Sequence, residues 1–211
     1  MGNETTGLRE SKKQETRQLI SDHATRLFIE NGFETTTIAE IAAAARVSKK
    51  TVTNYFARKE DLAFDHQEEF VAGLSRTVSG RAEGESALTA LRRGFLDGVE
   101  RRDPVIGFSG EVFARMIADS PTLLARLRDL HDQREAALAG LLAAETGAAP
   151  DDITPRAAAA QLGGAHRILF QRILELTLDG RDNERIADAV AASARRVFAL
   201  LEGSLADYAV K

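Results

Sequence analysis

Apolar residues recur along this chain at intervals of three and four, and no stretch alternates apolar and polar residues with β-branched enrichment. That spacing predicts helices throughout. Residues 1–9 are polar and predict disorder. A first helix begins near Arg9–Lys12 and runs to Asn31, with Leu19, Ile20, His23, Leu27 and Phe28 on one face and Gly32 as its stop. The threonines 35–37 supply a turn and a cap for a helix over 38–45. Ser48 caps the next helix, which ends near Tyr55. Arg58-Lys59-Glu60-Asp61 opens a longer helix carrying Leu62, Phe64, Phe70 and Leu74, and Gly80 and Gly84 bracket its end.

The remainder has the same period. Residues 85–101 carry Leu88, Leu91, Phe95 and Val99, and Pro104 and Gly107 break that helix. A short helix over 108–119 holds Phe113, Met116 and Ile117. Ser120-Pro121 and Thr154-Pro155 are each a cap residue followed by proline at the first helical position, where its missing N–H is no loss. They open helices over 122–146 and 154–178, and a last helix covers 182–208. The chain is expected to be all-α with about nine helices. Gly163 and Gly164 lie inside the penultimate helix, where each is unfavourable by roughly 1 kcal/mol against alanine. Close helix approach, a kink, or room for a ligand would account for them.

The last two helices are the most apolar. Leu169 and Ile173 lie on a wide apolar arc of the first, and Val190, Val197, Phe198, Leu201 and Leu205 on a stripe of the second. Such a pair can bury one face in its own subunit and another against a second copy, as in a four-helix bundle. These seven residues are the candidate dimer interface.

The segment Ile38–Phe56 has a finer pattern. Counting from Ile38, Ala42 is fifth, Arg46 ninth and Val52 fifteenth. In a DNA-reading helix-turn-helix the fifth residue is small because the second helix crosses it, the ninth lies in the turn, and the fifteenth plugs the space between the helices. Lys49, Lys50, Thr51, Thr53 and Asn54 then fall on the exposed side of the second helix, where side chains can donate to phosphates and base edges. The ninth residue often needs positive φ and favours glycine, so Arg46 is a departure.

Charge refines this picture. The chain nets −4. Residues 1–62 hold ten Lys/Arg against nine Asp/Glu, and the rest 18 against 23, so the basic character sits with Lys49, Lys50, Arg58 and Lys59. DNA binding needs a local basic face more than a basic protein. The absence of cysteine removes disulfides, thiol catalysis and thiolate metal sites. With no apolar run near the roughly 20 residues of a membrane span and no signal-peptide core, the expected setting is the cytoplasm, with no membrane partner.

The segment Gly32-Phe33-Glu34-Thr35-Thr36-Thr37-Ile38, followed by IAAAARVSKKTVTNYFARKEDL, resembles the TetR-like family of bacterial one-component transcriptional regulators. The likeness covers about 31 residues, from Gly32 to Leu62; the rest is similar only in helical layout and length. It implies phosphate contacts from Thr37, Ser48, Tyr55 and Lys59. It implies base or near-base contacts from Lys49, Lys50, Thr51, Thr53 and Asn54. Arg46 replaces the family's turn glycine, Lys50 a glycine at close backbone approach, and Thr53 the usual tyrosine.

The expected organisation is a DNA-binding head over residues 1–62 and a ligand-binding and dimerisation body over 63–211. The function expected is a homodimeric repressor of a palindromic double-stranded operator, released by a small, largely hydrophobic effector. Candidate pocket residues are Phe70, Leu74, Phe95, Phe113 and Met116, with Leu127, His131, His166 and Phe170; core packing is the alternative for each. No cofactor is expected. A helical metal-dependent enzyme is the rival class, but its signatures are missing: no G-x-G, no GK[ST] and no G-x-S-x-G occurs, and the four histidines are scattered without H-x-x-x-H or E-x-x-H spacing. A helical adaptor without DNA binding would leave the lysine-rich helix unexplained.

Overall fold

The computed structural model describes the backbone from Asn3 and side chains from Ser11 to the C-terminal Lys211. Its α-helices are α1 (Asn3–Asn31), α2 (Ile38–Ala44), α3 (Lys49–Tyr55), α4 (Gln67–Ser79) and α5 (Ala87–Arg101), followed by α6 (Glu111–Ala118), α7 (Pro121–Thr146), α8 (Thr154–Leu178) and α9 (Asn183–Leu205). Two 3₁₀ turns, Lys59–Leu62 and Pro104–Ile106, complete the described elements. No described helix is long and apolar enough to cross a membrane.

Several boundaries differ from the sequence expectation. The disorder expected over residues 1–9 lies outside the described residues for Met1 and Gly2, and from Asn3 the backbone is already helical. The Glu, Arg, Lys and Gln residues there are good helix formers, and no proline intervenes. Residues 59–62 form a 3₁₀ turn, and α4 starts only at Gln67. Thr154 does not cap α8: it is the first helical residue, and its N–H donates to Asp152 Oδ1 at 2.8 Å. Ser120 does cap α7, accepting from Leu123 N at 3.1 Å.

The chain forms two compact units. One contains the chain up to Gln67 together with Met116–Arg126; the other contains Glu68–Arg115 and Leu127–Lys211. A single cut after Leu62 therefore does not reproduce them, because the first turns of α7 fold with the N-terminal segment.

In the first unit α1, α2 and α3 enclose Ile20, Ala24, Phe28, Phe33, Ile41, Ala42, Val52 and Phe56, all buried. The turn between α2 and α3 follows from hydrogen bonding. Val47 N donates to Ala42 O at 2.9 Å and Arg46 N to Ala43 O at 3.1 Å. These are the paired bonds of a Schellman motif, with Arg46 at the position that usually holds glycine. Arg46 has φ 55°, in the left-handed region.

The second unit is built on α5, α8 and α9. Leu88, Leu91, Phe95 and Val99 of α5 pack with Leu162, Leu169 and Ile173 of α8 and with Val190, Ala194 and Phe198 of α9. Burying each large side chain contributes roughly 1.5–3 kcal/mol. The C-terminal strand-like segment closes on the start of α5: Gly84 N donates to Lys211 O at 2.9 Å, and Lys211 N to Glu85 O at 3.2 Å.

The left-handed Arg46 gives a direct stability test. A non-glycine residue in that region is unfavourable by about 1 kcal/mol or more, and glycine relieves the strain but gains freedom in the unfolded chain. Arg46→Gly is expected to raise unfolding free energy by about 0.5–1 kcal/mol in urea titrations followed by circular dichroism. A loss of stability would mean that the arginine side chain outweighs the backbone strain.

Candidate functional site

Two regions concentrate functional chemistry: the outer face of α3, and a cavity in the second unit. The face of α3 is set by its caps and plug. Ser48 Oγ accepts from Thr51 N at 3.0 Å, which starts the helix, and Val52 is fully buried beneath it. Lys49, Lys50, Thr53 and Asn54 are thereby left exposed, while Thr51 and Tyr55 are half-buried. Thr53 Oγ1 returns to Lys50 O at 3.2 Å and Thr51 Oγ1 lies 2.8 Å from Ser48 Oγ. The exposed face thus offers two ammonium groups and one carboxamide to an outside partner.

Like Ser48, the other expected phosphate-contacting residues have structural work inside the unit. Thr37 and Glu40 form a reciprocal cap on α2: Glu40 Oε2 accepts from Thr37 N and from Thr37 Oγ1, both at 2.8 Å. Those bonds hold the Glu40 carboxyl below its ordinary pKa, the Thr37 backbone N–H first among them. Lys59 Nζ donates to Phe33 O at 2.8 Å, Thr36 O at 3.1 Å and Glu34 O at 3.3 Å, and sits 4.3 Å above the Phe33 ring. An ammonium has three donors, and three carbonyls take them. Tyr55 contributes through its backbone, accepting from Arg17 Nη1 at 3.0 Å.

The first turns of α7 carry a second polar set in the same unit. Arg126 Nη2 donates to Gln67 Oε1 at 2.5 Å and lies 2.9 Å from Asp61 Oδ1, both charged side chains being nearly buried. The N–H points at the carboxamide, so the carboxylate is held as an ion pair. Asp61 Oδ2 accepts from Arg58 N at 3.1 Å. Ser120 Oγ donates to Glu34 Oε1 at 2.5 Å, the main reason the Glu34 carboxyl sits below its usual pKa.

The cavity, of about 380 Å³, lies among α4, α5, α7 and α8 of the second unit. Of the residues expected there, Leu74, Phe95 and His166 line it. Phe70, His131 and Phe170 form a three-ring cluster, with centroids 5.0, 5.4 and 5.9 Å apart. Phe95, His166 and Phe198 form another at 5.4–6.2 Å. Phe113 and Leu127 are half-buried away from the lining, and Met116 is buried in the first unit. A Cβ at Gly163 would meet Glu135 at 3.4 Å, an ordinary van der Waals contact, and Gly164 faces open space, so close helix approach explains neither glycine. The glycines at the cavity are Gly73 and Gly94.

The wall is more polar than the expected hydrophobic effector requires. Arg134, Arg76, Arg101, Glu69 and Asp103 all border it. None of the five was expected, because an arginine on an amphipathic helix normally faces water.

The candidate interface residues of α8 and α9 also need correction. Leu169, Ile173, Val190, Phe198 and Leu205 are buried in the unit's own core, so only Val197 and Leu201 remain partly exposed. Each helix stripe is consumed by its own subunit. The exposed apolar residues are one position off it: Ile168 is 59% exposed and Leu200 82%. They border a shallow groove with Val197.

A model of bacterial regulatory proteins of the tetR family matches residues 20–65. Among curated proteins the chain is 31% identical over 156 residues to the HTH-type transcriptional regulator TcmR of Streptomyces glaucescens, spanning 71% of this chain and 69% of that one. It is 34% identical over 77 residues to the HTH-type transcriptional repressor DhaR of a Mycobacterium species, spanning 36% of this chain and only 38% of that protein. Among solved structures, GusR of Salmonella enterica superposes with a TM-score of 0.53 at 22% identity, over 90% of this chain and 95% of that one, which shows a shared fold.

Two tests follow from the geometry. Lys59→Met should lower unfolding free energy by about 1–3 kcal/mol, because three carbonyls lose one charged donor; an unchanged urea midpoint would show those bonds to be incidental. Burial pushes the His131 imidazole from 6.5 down to about 4, helped by the Arg134 and Arg167 charges, and burial pushes His166 well below its usual value. The unfolded chain therefore binds more protons than the folded one below about pH 6.5. Stability should be full above that pH and fall as pH drops toward 5, before most carboxylates titrate. Thermal unfolding at pH 7.5, 6 and 5 checks this, and His131→Phe should flatten part of the slope.

Proposed function

The chain belongs to the tetR family of bacterial regulatory proteins, and from that premise we propose that it represses transcription as an effector-responsive homodimer. It is a DNA-binding regulator of the helix-turn-helix class, not an enzyme. The observation that carries the proposal is the outer face of α3. A left-handed residue, a small residue and an apolar plug hold two helices in crossing geometry, and the free face presents Lys49, Lys50, Thr53 and Asn54. In this reading the lysines reach phosphates or guanine edges and Asn54 reads a base edge. Thr51, Ser48 and Tyr55 border the same helix and complete the contacting set. Thr37 and Lys59 act by positioning α2 and the preceding turn. The relative named a repressor supports the sign of the regulation.

Two copies of α3 are needed to read a palindrome. The proposed dimer surface is the outer side of α8 and α9, where Ile168, Val197 and Leu200 flank a groove with Arg172, Glu175 and Arg196 on its rim. The effector would occupy the cavity beside Arg134 and act through its affinity difference between two arrangements of the molecule. Helix α7 contributes residues to both compact units and is the proposed lever.

The DNA reading is tested by selecting an operator duplex and titrating it at several salt concentrations. Two heads releasing several counterions each predict a steep fall in affinity between about 50 and 200 mM salt. Asn54→Ala should alter the preferred sequence, whereas Lys49→Ala should weaken all sequences nearly equally. Affinity indifferent to salt would sink the proposal. For the dimer, Leu200→Glu should yield a folded monomer in sedimentation, with operator affinity lost in parallel; a folded dimer would place the interface elsewhere.

A further inference from the structure

Arg134 is only 5% exposed, yet among the described residues no hydrogen-bond acceptor meets its Nε and no carboxylate lies within ion-pair distance. Its guanidinium rests on the Phe70 ring, 4.5 Å from the centroid, and its Nη2 is the atom a Cβ on Gly73 would meet, at 3.5 Å. The nearby carboxylate is occupied: Asp103 Oδ1 accepts from Val105 N at 2.9 Å and Oδ2 lies 3.8 Å from Arg101 Nη2. His166, 4% exposed, lines the same cavity, and its Nε2 also has no partner. Buried polar groups in folded proteins are nearly always paired, and an unpaired buried charge is far more unfavourable than an unpaired amide. An unpaired guanidinium N–H and an unpaired imidazole nitrogen on one cavity wall point to a missing polar partner, which for the guanidinium must be an acceptor.

Resting on the effector-responsive reading above, we infer that the cavity takes a small organic monoanion, a carboxylic acid with an aromatic body, whose carboxylate pairs with Arg134 and whose ring lies against Leu74, Leu91 and Phe95. The charges on the wall set the ligand's charge. Arg76, Arg101 and Arg134 face Glu69 and Asp103, an excess of one positive charge, so a single carboxylate balances the site and a phosphate dianion overfills it. The planar fork of arginine matches a carboxylate in two parallel bonds. The neutral His166 ring offers a further donor or acceptor without adding charge. The volume, about 380 Å³, is within the usual range for small-molecule sites. Burial lowers the Arg134 pKa to about 10, which leaves it charged at neutral pH while recording how poorly it is solvated.

The experiment uses the full chain without DNA. Benzoic, 2-naphthoic and biphenyl-4-carboxylic acids, each beside its primary amide, are titrated by calorimetry. At least one acid should bind about tenfold or more tightly than its amide, the worth of a charge-assisted contact. Arg134→Met should abolish that preference while leaving amide binding in place, and Arg134→Lys should retain part of it. The melting temperature of Arg134→Met should hold or rise, because an unpaired buried charge is removed. Equal binding of every acid and amide, binding of neither, an undiminished preference in Arg134→Met, or a lowered melting temperature for that variant would each overturn the inference. Operator binding is measured on the same preparations. Its loss in the parent protein would defeat the regulatory reading alone, since the acid-to-amide ratio is read without DNA.

Discussion

The reading surface depends on one backbone residue. Because Arg46 adopts the left-handed conformation, the chain leaves α2 through paired hydrogen bonds and enters α3 within four residues. That abrupt change of direction places Val52 under α2 and beside the buried Ala42. A residue confined to the ordinary helical region would extend α2 and rotate every α3 side chain away from its position. The left-handed residue lies between two capped helices, with the Thr37–Glu40 cap starting α2 and the Ser48 cap starting α3. Backbone strain persists only where such neighbours over-determine it.

Lys59 extends the same control to the preceding turn. The carbonyls of Phe33, Glu34 and Thr36 lie in the turn between α1 and α2, outside either helix's own hydrogen bonding, and need partners. One ammonium gathers all three. The resemblance to known regulators suggests a phosphate contact here, whereas the hydrogen bonds make the lysine a brace. The two roles are compatible only if a phosphate displaces a carbonyl, so the brace is the better account of the free protein.

The head was legible in the sequence because its determinants are local. Ala42, Arg46 and Val52 lie within eleven residues, and spacing alone relates them. Helical content was legible for the same reason, since a period of 3.6 is a short-range signal. The faces of α8 and α9 were not. On a helix of 25 residues the apolar stripe shows that one side is buried without saying against what, and here the subunit's own core took it. Ile168 and Leu200, which are exposed, lie off the stripe, so its period does not select them. The cavity was the least legible part. Phe95 and His166 fitted an apolar period, but Arg134 reads as a solvated residue until its neighbours on α4 and α5 close over it.

The second unit thus carries polar groups that its own packing does not satisfy. His131 and His166 remain neutral because protonation inside two ring clusters beside Arg134 would add charge to a poorly solvated site. Arg134 remains charged because deprotonation at neutral pH is more unfavourable still. A core optimised for stability alone would place apolar side chains at these positions, as replacements of buried charges by hydrophobic residues generally tolerate or improve folding. Stability lost in this way is recoverable by mass action: a ligand that pairs the orphaned groups binds only the folded form and stabilises it in proportion to its concentration. The same differential affinity can bias two arrangements of the folded protein, provided that the elements holding the cavity belong to more than one compact unit. Helix α7 meets that condition, with Ser120 and Arg126 in one unit and His131 and Arg134 in the other.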